Sequence, residues 1–451
     1  MPEESKRKDR FDPRSYGAMA DGHSKDTAAV QAAIDAAAAQ GGTVRLAGGT
    51  FVCGTLYLKS NVALEITNSA TLLASPDIAD YGTDTHHNRY RNEPELDRCF
   101  LFAQDAENVT ICGSGVIDGN AAAFPNAGSI YRPMLLRVLR CRNVRVQNLR
   151  LLNAAAWATA FLDSDFIWAT DLHIENHRNY NGDGLDFDGC RHVWVRGCYI
   201  DGTDDNLCLQ SSGLPVQDVH ISDCAFTSVC AGIRIGLKSI GEISGVVISN
   251  CTMRNIWREG IKLECTEGGS ITDILVENIT MHNVRRPIFA ILNNRYRPDD
   301  LGSSVELDHI PPIGTMVRLR FVGITAVDDE GMAHAQRRFD NDIMGEPRFG
   351  GCRLDANAAH LIEDVTIRDF WYTAIGGVRL ADLPAAPYPE VPDRLQAPTA
   401  PGSENYYPDW SRTTHLDARN VRGLTLENLH FNTLHPDERP KMLAEGPTVM
   451  L

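Results

Sequence analysis

No run of 18 consecutive apolar residues occurs anywhere in the 451 residues, which excludes a helical membrane span. Positive charge is also scarce. Lys and Arg number 43 against 59 Asp and Glu, and the net charge of -16 excludes broad phosphate binding, because nucleic acid needs clustered cations to displace its counterions. Field lines focus in clefts, so a local basic pocket for one uronate remains compatible with that balance. The twelve cysteines include no CxxC pair and no His/Cys cluster with zinc spacing. Cys112, Cys198, Cys224 and Cys251 recur at one point of a repeat and are read as buried, reduced thiols. The start MPEESKRKDRFDP is charged and no apolar stretch follows it, so no secretory signal is legible and a cytoplasmic protein is expected.

What is present is repetition. From residue 107 a polar pair, an alternation of apolar and polar residues, an Asn, Asp or Gly, and a second short alternation recur ten times, as in RNVRVQNLRLLN from Arg142 and SGVVISNCTMRN from Ser244. The aligned apolar residues Phe166, Val193, Val219, Val246 and Ile274 lie 27, 26, 27 and 28 residues apart, a solenoid period. Period-2 alternation makes each unit a set of short strands, and strands that cannot bury a face alone must stack turn on turn. The expected fold is therefore an all-β, right-handed parallel β-helix forming one domain over residues 1–451, with residues 1–10 flexible. Its open end needs a cap, and DTAAVQAAIDAAAAQGG supplies an amphipathic helix over about residues 26–40, with Asp26 placed as N-cap and Gly41 as stop. Wider spacings after Ile274 predict loop insertions at 328–351 and 383–411, read equally as binding loops or as packed covers.

Two acidic clusters interrupt the pattern: NGDGLDFDG from Asn181 and DGTDDN from Asp201. Asp183 precedes Asp204 and Asp205 by 21 and 22 residues, a little under one turn, which allows all three to fall on one side of the coil. Glycoside hydrolysis needs one carboxylic acid for the leaving oxygen and one carboxylate for water or attack, and crowded like charges raise one pKa. Asp186, Asp188 and Asp201 are read as Asx-turn residues. Adjacent residues of a regular strand face opposite ways, so Asp204 and Asp205 serve one cleft only if the backbone bends near Gly202 and Thr203. The Asp spacing is not that of an EF-hand; neither metal nor cofactor is expected.

The opening FDPRSYGAMADGHSKDTAAVQAAIDAA, the rung repeats and the NxD-then-DD order resemble glycoside hydrolase family 28, the polygalacturonase family, from about Phe11 to Asp437. The resemblance implies that Asp204 is the general acid and that Asp183 and Asp205 position the attacking water for inversion. Asn181 matches the Asn of the family's Asn-Thr-Asp motif, with Gly182 in place of the Thr. The family's Gly-His-Gly falls at Cys230-Ala231-Gly232 and its Arg-Ile-Lys at Gly260-Ile261-Lys262, so the histidine and the arginine are missing. Arg234, Lys238 and Arg258 are the nearby cations that can replace them, a guanidinium suiting a planar carboxylate. Lys262 and Glu264 share a face and are read either as a salt bridge or as substrate contacts. Trp157 is a candidate sugar platform, Trp168 and Trp257 weaker ones. His86 and His87, in THHNRYRN, can supply a histidine from outside the repeats.

The resulting expectation is an inverting glycosidase acting, exo-wise, on short pectin-derived or related oligosaccharides with a uronoside or a neutral sugar at the cleaved position. A lyase or epimerase on the same coil is the alternative, and a non-catalytic sugar-binding β-helix a third reading. The partner is an oligosaccharide, with no nucleic acid or membrane, and a homo-oligomer is compatible with the sequence.

Overall fold

The computed structural model describes residues 10–85, 97–126, 132–294, 309–333, 349–385, 388, 390–391 and 410–446. They form two compact units, one ending at Thr203 and one beginning at Asp204. Parallel strands wind through each as the rungs of a right-handed β-helix, the hand that parallel crossovers take almost without exception. No helix among the described residues is long and apolar enough to cross a membrane.

In the first unit the strands Glu107–Gly113, Arg142–Gln147, Asp165–Thr170 and Arg191–Arg196 pair in register, stacking Val109, Val144, Ile167 and Val193 in the core. The inward residue of the third rung is thus Ile167. Phe166, its expected counterpart, takes a left-handed φ of 57° and stacks on His192 at 4.4 Å under the Arg142 guanidinium. That backbone turn recurs at the matching position of other rungs, at Asn108, Asn143 and His192 here and at Asp218, Asp273 and Asp364 in the second unit. A second left-handed corner follows a few residues later, at Asn148, Asp171, Asn250, Asn278 and Asn428. Asn, Asp and Gly tolerate this conformation at least cost, which is why they punctuate the repeat. Asn side chains stack between rungs as well: Asn143 Nδ2 donates to Asn108 Oδ1 at 2.6 Å, and Asn278 Nδ2 to Asn250 Oδ1 at 2.6 Å.

The helix spans Thr27–Ala38 and buries Val30, Ala33, Ile34 and Ala37. Asp26 precedes it but does not cap it with its side chain. The carboxylate instead accepts the backbone N–H groups of Met19 and Ala20 at 2.7 and 3.0 Å, tying the incoming chain to the helix start. All twelve cysteines are free thiols; Cys198, Cys224 and Cys251 are buried and Cys112 is half-buried.

In the second unit one wall is built by Leu207–Ser211, Ile233–Ser239, the ends of Thr252–Cys265 and Ser270–Leu292, Cys352–Ala356 and Leu416–Arg419. Ile233, Ile261 and Ile288 face the core, while the opposite face carries the column Cys208, Arg234, Lys262, Phe289, Arg353 and Asp417. This column positions the candidate site. Most of both loop insertions lies outside the described residues, but Tyr388 lies under the guanidinium groups of Arg353, Arg412 and Arg419 at 4.9, 4.8 and 5.3 Å. At that point the second insertion is a packed cover.

Candidate active site

In the first unit residues 177–184 lie between the strands His173–Asn176 and Leu185–Asp188 and are pinned by Arg132, which is fully buried. Its Nη1 donates to the Tyr180 carbonyl and its Nη2 to Asn181 Oδ1, both at 2.7 Å. Asn181 is held at φ 54° by this clamp. A Cβ on Gly182 would collide with Thr203 Oγ1 and the Asn176 carbonyl. The Thr203 hydroxyl donates to Asn179 O at 2.5 Å and accepts from Gly182 N at 3.1 Å. The hydroxyl that a Thr at 182 would carry therefore arrives from Thr203, and the glycine makes room for it. Asp183 is 5% exposed, with its carbonyl bonded to Ala158 N and Asn176 Nδ2.

Asp186 and Asp188 sit in the strand Leu185–Asp188, opposite Ala160 and Leu162, rather than in Asx-turns. Asp201, in the strand Tyr199–Gly202, pairs with His177 Nε2 at 3.0 Å and accepts the Tyr199 hydroxyl. The sequence reading missed His177, whose signal was its place four residues before Asn181. Trp157 is 5% exposed and so packs inside the unit instead of offering an open platform. Trp168 stacks on Trp194 at 5.1 Å. His86 and His87 lie outside the described residues.

In the second unit Asp204 and Asp205 precede the strand Leu207–Ser211 in a bend, not in the strand, so both carboxylates turn toward Cys230. Ser228 Oγ donates to the Asp204 carbonyl at 2.5 Å and Asp205 N donates to Asp204 Oδ1 at 2.9 Å, which fixes the bend. Asp205 Oδ1 accepts the Cys230 thiol at 3.2 Å and Ala231 N at 3.3 Å; its Oδ2 accepts Arg234 Nη1 at 2.8 Å. Arg234 turns its Nε and Nη2 to Glu264 Oε2 at 2.7 and 2.6 Å. It clamps two carboxylates, each of its nitrogens meeting one of them.

Behind Arg234 the charges alternate. Lys262 Nζ lies 3.7 Å from Glu264 Oε2 and 3.4 Å from Glu259 Oε2, and Arg286 Nη1 lies 3.3 Å from Glu259 Oε1. Lys262, Glu264 and Glu259 are each at most 1% exposed, so the salt-bridge reading of Lys262 and Glu264 holds and direct substrate contact does not. Lys238, 2% exposed, faces Glu267 at 3.7 Å and is likewise interior.

Arg258 differs. Opposite the stretch from Val284 to Arg286 the strand carries one extra residue, a β-bulge over Trp257 and Arg258. The bulge leaves Arg258 with only a 3.6 Å contact from Nη1 to the Cys230 sulfur and a 3.9 Å approach to Glu259, and its buried Nε and Nη2 have no hydrogen-bond partner among the described residues. At Gly260, where the family pattern would place an arginine, a Cβ would meet Met281, Val284 and the Pro287 carbonyl at 3.0 Å. There is no room there for a long side chain. The bulge delivers one from two residues earlier.

Burial, then the Asp205 charge, raises the Asp204 carboxyl above the ordinary carboxylate range. Burial, with both aspartates, raises Cys230 so that it stays a thiol. Glu259 is driven the other way, to about 2, because Lys262, Arg258 and Arg286 overcome the opposing effect of burial. Donor atoms of Asp204, Asp205 and Cys230 lie within 4.8 Å of one another, but a neutral thiol beside Arg234 and Arg258 is a poor host for a cation.

The rungs and this acid pair, with Asp205 clamped by a guanidinium and the Asp204 carboxyl raised above the ordinary range, define a carbohydrate-active β-helix. Residues 50–306 match the sequence profile of Glycosyl hydrolases family 28, and the chain belongs to that family. A probable polygalacturonase of Vitis vinifera is 26% identical over 262 residues, spanning 51% of this chain and 52% of the relative. An exo-poly-alpha-D-galacturonosidase of Dickeya chrysanthemi is 25% identical over 243 residues, spanning 43% of this chain and 40% of the relative. The chain thus spans about half the length of the curated relatives it matches. The same fold occurs in a Thermotoga maritima exopolygalacturonase, with a TM-score of 0.68, 18% identity and coverage of 94% of this chain and 92% of that one. A family 28 exopolygalacturonase of Yersinia enterocolitica gives a TM-score of 0.68 at 17% identity, with coverage of 98% and 77%.

Proposed function

We propose that the protein is an exo-acting, inverting hydrolase that removes a terminal uronosyl residue from short pectin-derived oligosaccharides. The observation that carries this reading is Arg258, a buried guanidinium with unpaired Nε and Nη2 beside the Asp204 and Asp205 pair. A planar fork with two unused donors matches a sugar carboxylate, and leaving it unpaired has a desolvation cost that an anionic substrate offsets. Exo action is supported by the Dickeya relative, an exo-poly-alpha-D-galacturonosidase.

In this mechanism Asp204, its carboxyl raised by burial and by Asp205, gives its proton to the leaving glycosidic oxygen. Asp205, held by its Arg234 clamp, takes the proton of the attacking water, and by the family pattern Asp183 shares that role. Asn181, its carbonyl held by Arg132, is a substrate-binding donor.

The test is to incubate the protein with di- and trigalacturonate and follow the products by anion-exchange chromatography and proton NMR. Release of monomer from one end, appearing first as the inverted anomer, is expected. A product absorbing in the ultraviolet indicates a lyase and overturns the proposal, as does the absence of turnover.

A further inference from the structure

Asp205 has an unusual acceptor balance. A carboxylate offers about two lone-pair sites on each oxygen. Its Oδ1 is filled by the Cys230 thiol and the Ala231 N–H, and its Oδ2 carries Arg234 Nη1 alone. One acceptor site is therefore left, on Oδ2, and its direction is set by where the guanidinium lies. Arg234 is in turn held through Nε and Nη2 by Glu264, Glu264 by Lys262, Lys262 by Glu259, and Glu259 by Arg286. Neither the repeat nor the family pattern requires this chain of six alternating charges.

We propose that Arg234 is a positioning residue: through Asp205 Oδ2 it fixes where the attacking water is bound. The inference rests on the hydrolytic reading above. Arg234 does not touch the sugar, so its removal acts on turnover and on the pH profile while leaving substrate affinity alone. The ladder behind it keeps the fork in one orientation, which a freely rotating lysine would not reproduce.

The experiment compares wild type, R234K and the double variant R234Q/E264Q, which removes the cation together with its main counter-charge. R234K keeps the charge but loses the fork, so kcat on digalacturonate falls about ten- to hundredfold, KM stays within about twofold, and the bell-shaped profile keeps its position. In R234Q/E264Q the alkaline limb of the kcat profile, set by Asp204, moves to higher pH, because Asp204 loses the Arg234 charge that lowers it and keeps only that of Arg258. A raised KM with unchanged kcat, or an unshifted profile in the double variant, overturns the proposal. Circular dichroism checks folding; if the double variant does not fold, R234K decides, and an unchanged kcat refutes the role. Should wild type hydrolyse no uronide, the functional reading falls by itself. The inference is then read from carbon-13 NMR titration of the Asp204 carboxyl, where a titration unmoved in R234Q/E264Q sinks it.

Discussion

Replacing Arg258 with Met separates binding from folding, because this side chain contributes so few contacts of its own. Met preserves much of the aliphatic stem and removes a 3.6 Å contact to sulfur and a 3.9 Å approach to Glu259, neither of them a strong hydrogen bond. The stability loss should stay below about 1 kcal/mol. A bound carboxylate, in contrast, would lose a charge-assisted fork contact worth about 2–3 kcal/mol. At 1.4 kcal/mol per decade, that is a fall of about 30- to 150-fold in kcat/KM on digalacturonate, carried mainly by KM. The matched control is the methyl-ester disaccharide, which lacks the negative charge and should feel the substitution less than about threefold. Initial rates on both substrates, with thermal melts of both proteins, complete the assay. Equal losses on the acid and its ester, or a KM unchanged on the acid, would refute the assignment of Arg258 to the substrate carboxylate.

Asp204→Asn removes the proton donor, and turnover should drop about 10²- to 10⁴-fold in steady-state assays while the far-ultraviolet spectrum is unchanged. Glu259→Gln removes the carboxylate that Lys262 and Arg286 share in the interior, so urea melts should show a loss of about 3–5 kcal/mol, far beyond that of R258M. Because Glu259 falls to about 2 on folding, its stabilisation is present above its unfolded pKa near 4.5 and is lost as pH drops toward 2; melts of wild type and E259Q should converge over that range. Asp328 has the opposite sign: burial pushes it up to about 8, so its carboxyl favours folding below the unfolded value of 3.8 and opposes it as pH rises toward 8. Asp328→Asn should therefore raise the melting temperature at pH 7 and bring no gain at pH 3.5. Thr203→Val removes the hydroxyl shared by Asn179 and Gly182, and a denaturant titration should register about 1–3 kcal/mol.

The coil was legible because its two left-handed corners leave Asn, Asp or Gly at fixed places, and those letters are visible without coordinates. The alignment slipped by one at Phe166, since an aromatic in a left-handed corner looks like a core residue until its register against Asn143 and His192 is seen. The acid pair was legible too, because adjacent Asp residues break the alternation. Its surroundings were not. The Arg132 clamp joins residues 49 apart, and a bulge, which leaves no mark in composition, shifts the register at Arg258 and sets Glu259 against Arg286. Period-2 reasoning did place Lys262 beside Glu264, but it could not tell that both would be buried.

The paired corners also bear on how such a chain can change length. Each rung carries its own turn residues, and where Asn278 rests on Asn250 the amide of one turn is received by the same residue type in the turn before. A segment such as Asn250 to Glu277 therefore has matching ends. Duplicating it should add one turn without asking any neighbour for a new partner, as expected of a structure held by nearest-neighbour interfaces. That segment also carries Arg258, Glu259, Lys262 and Glu264, so a turn added there duplicates part of the site, and length and chemistry are independent only for turns that carry none of its residues.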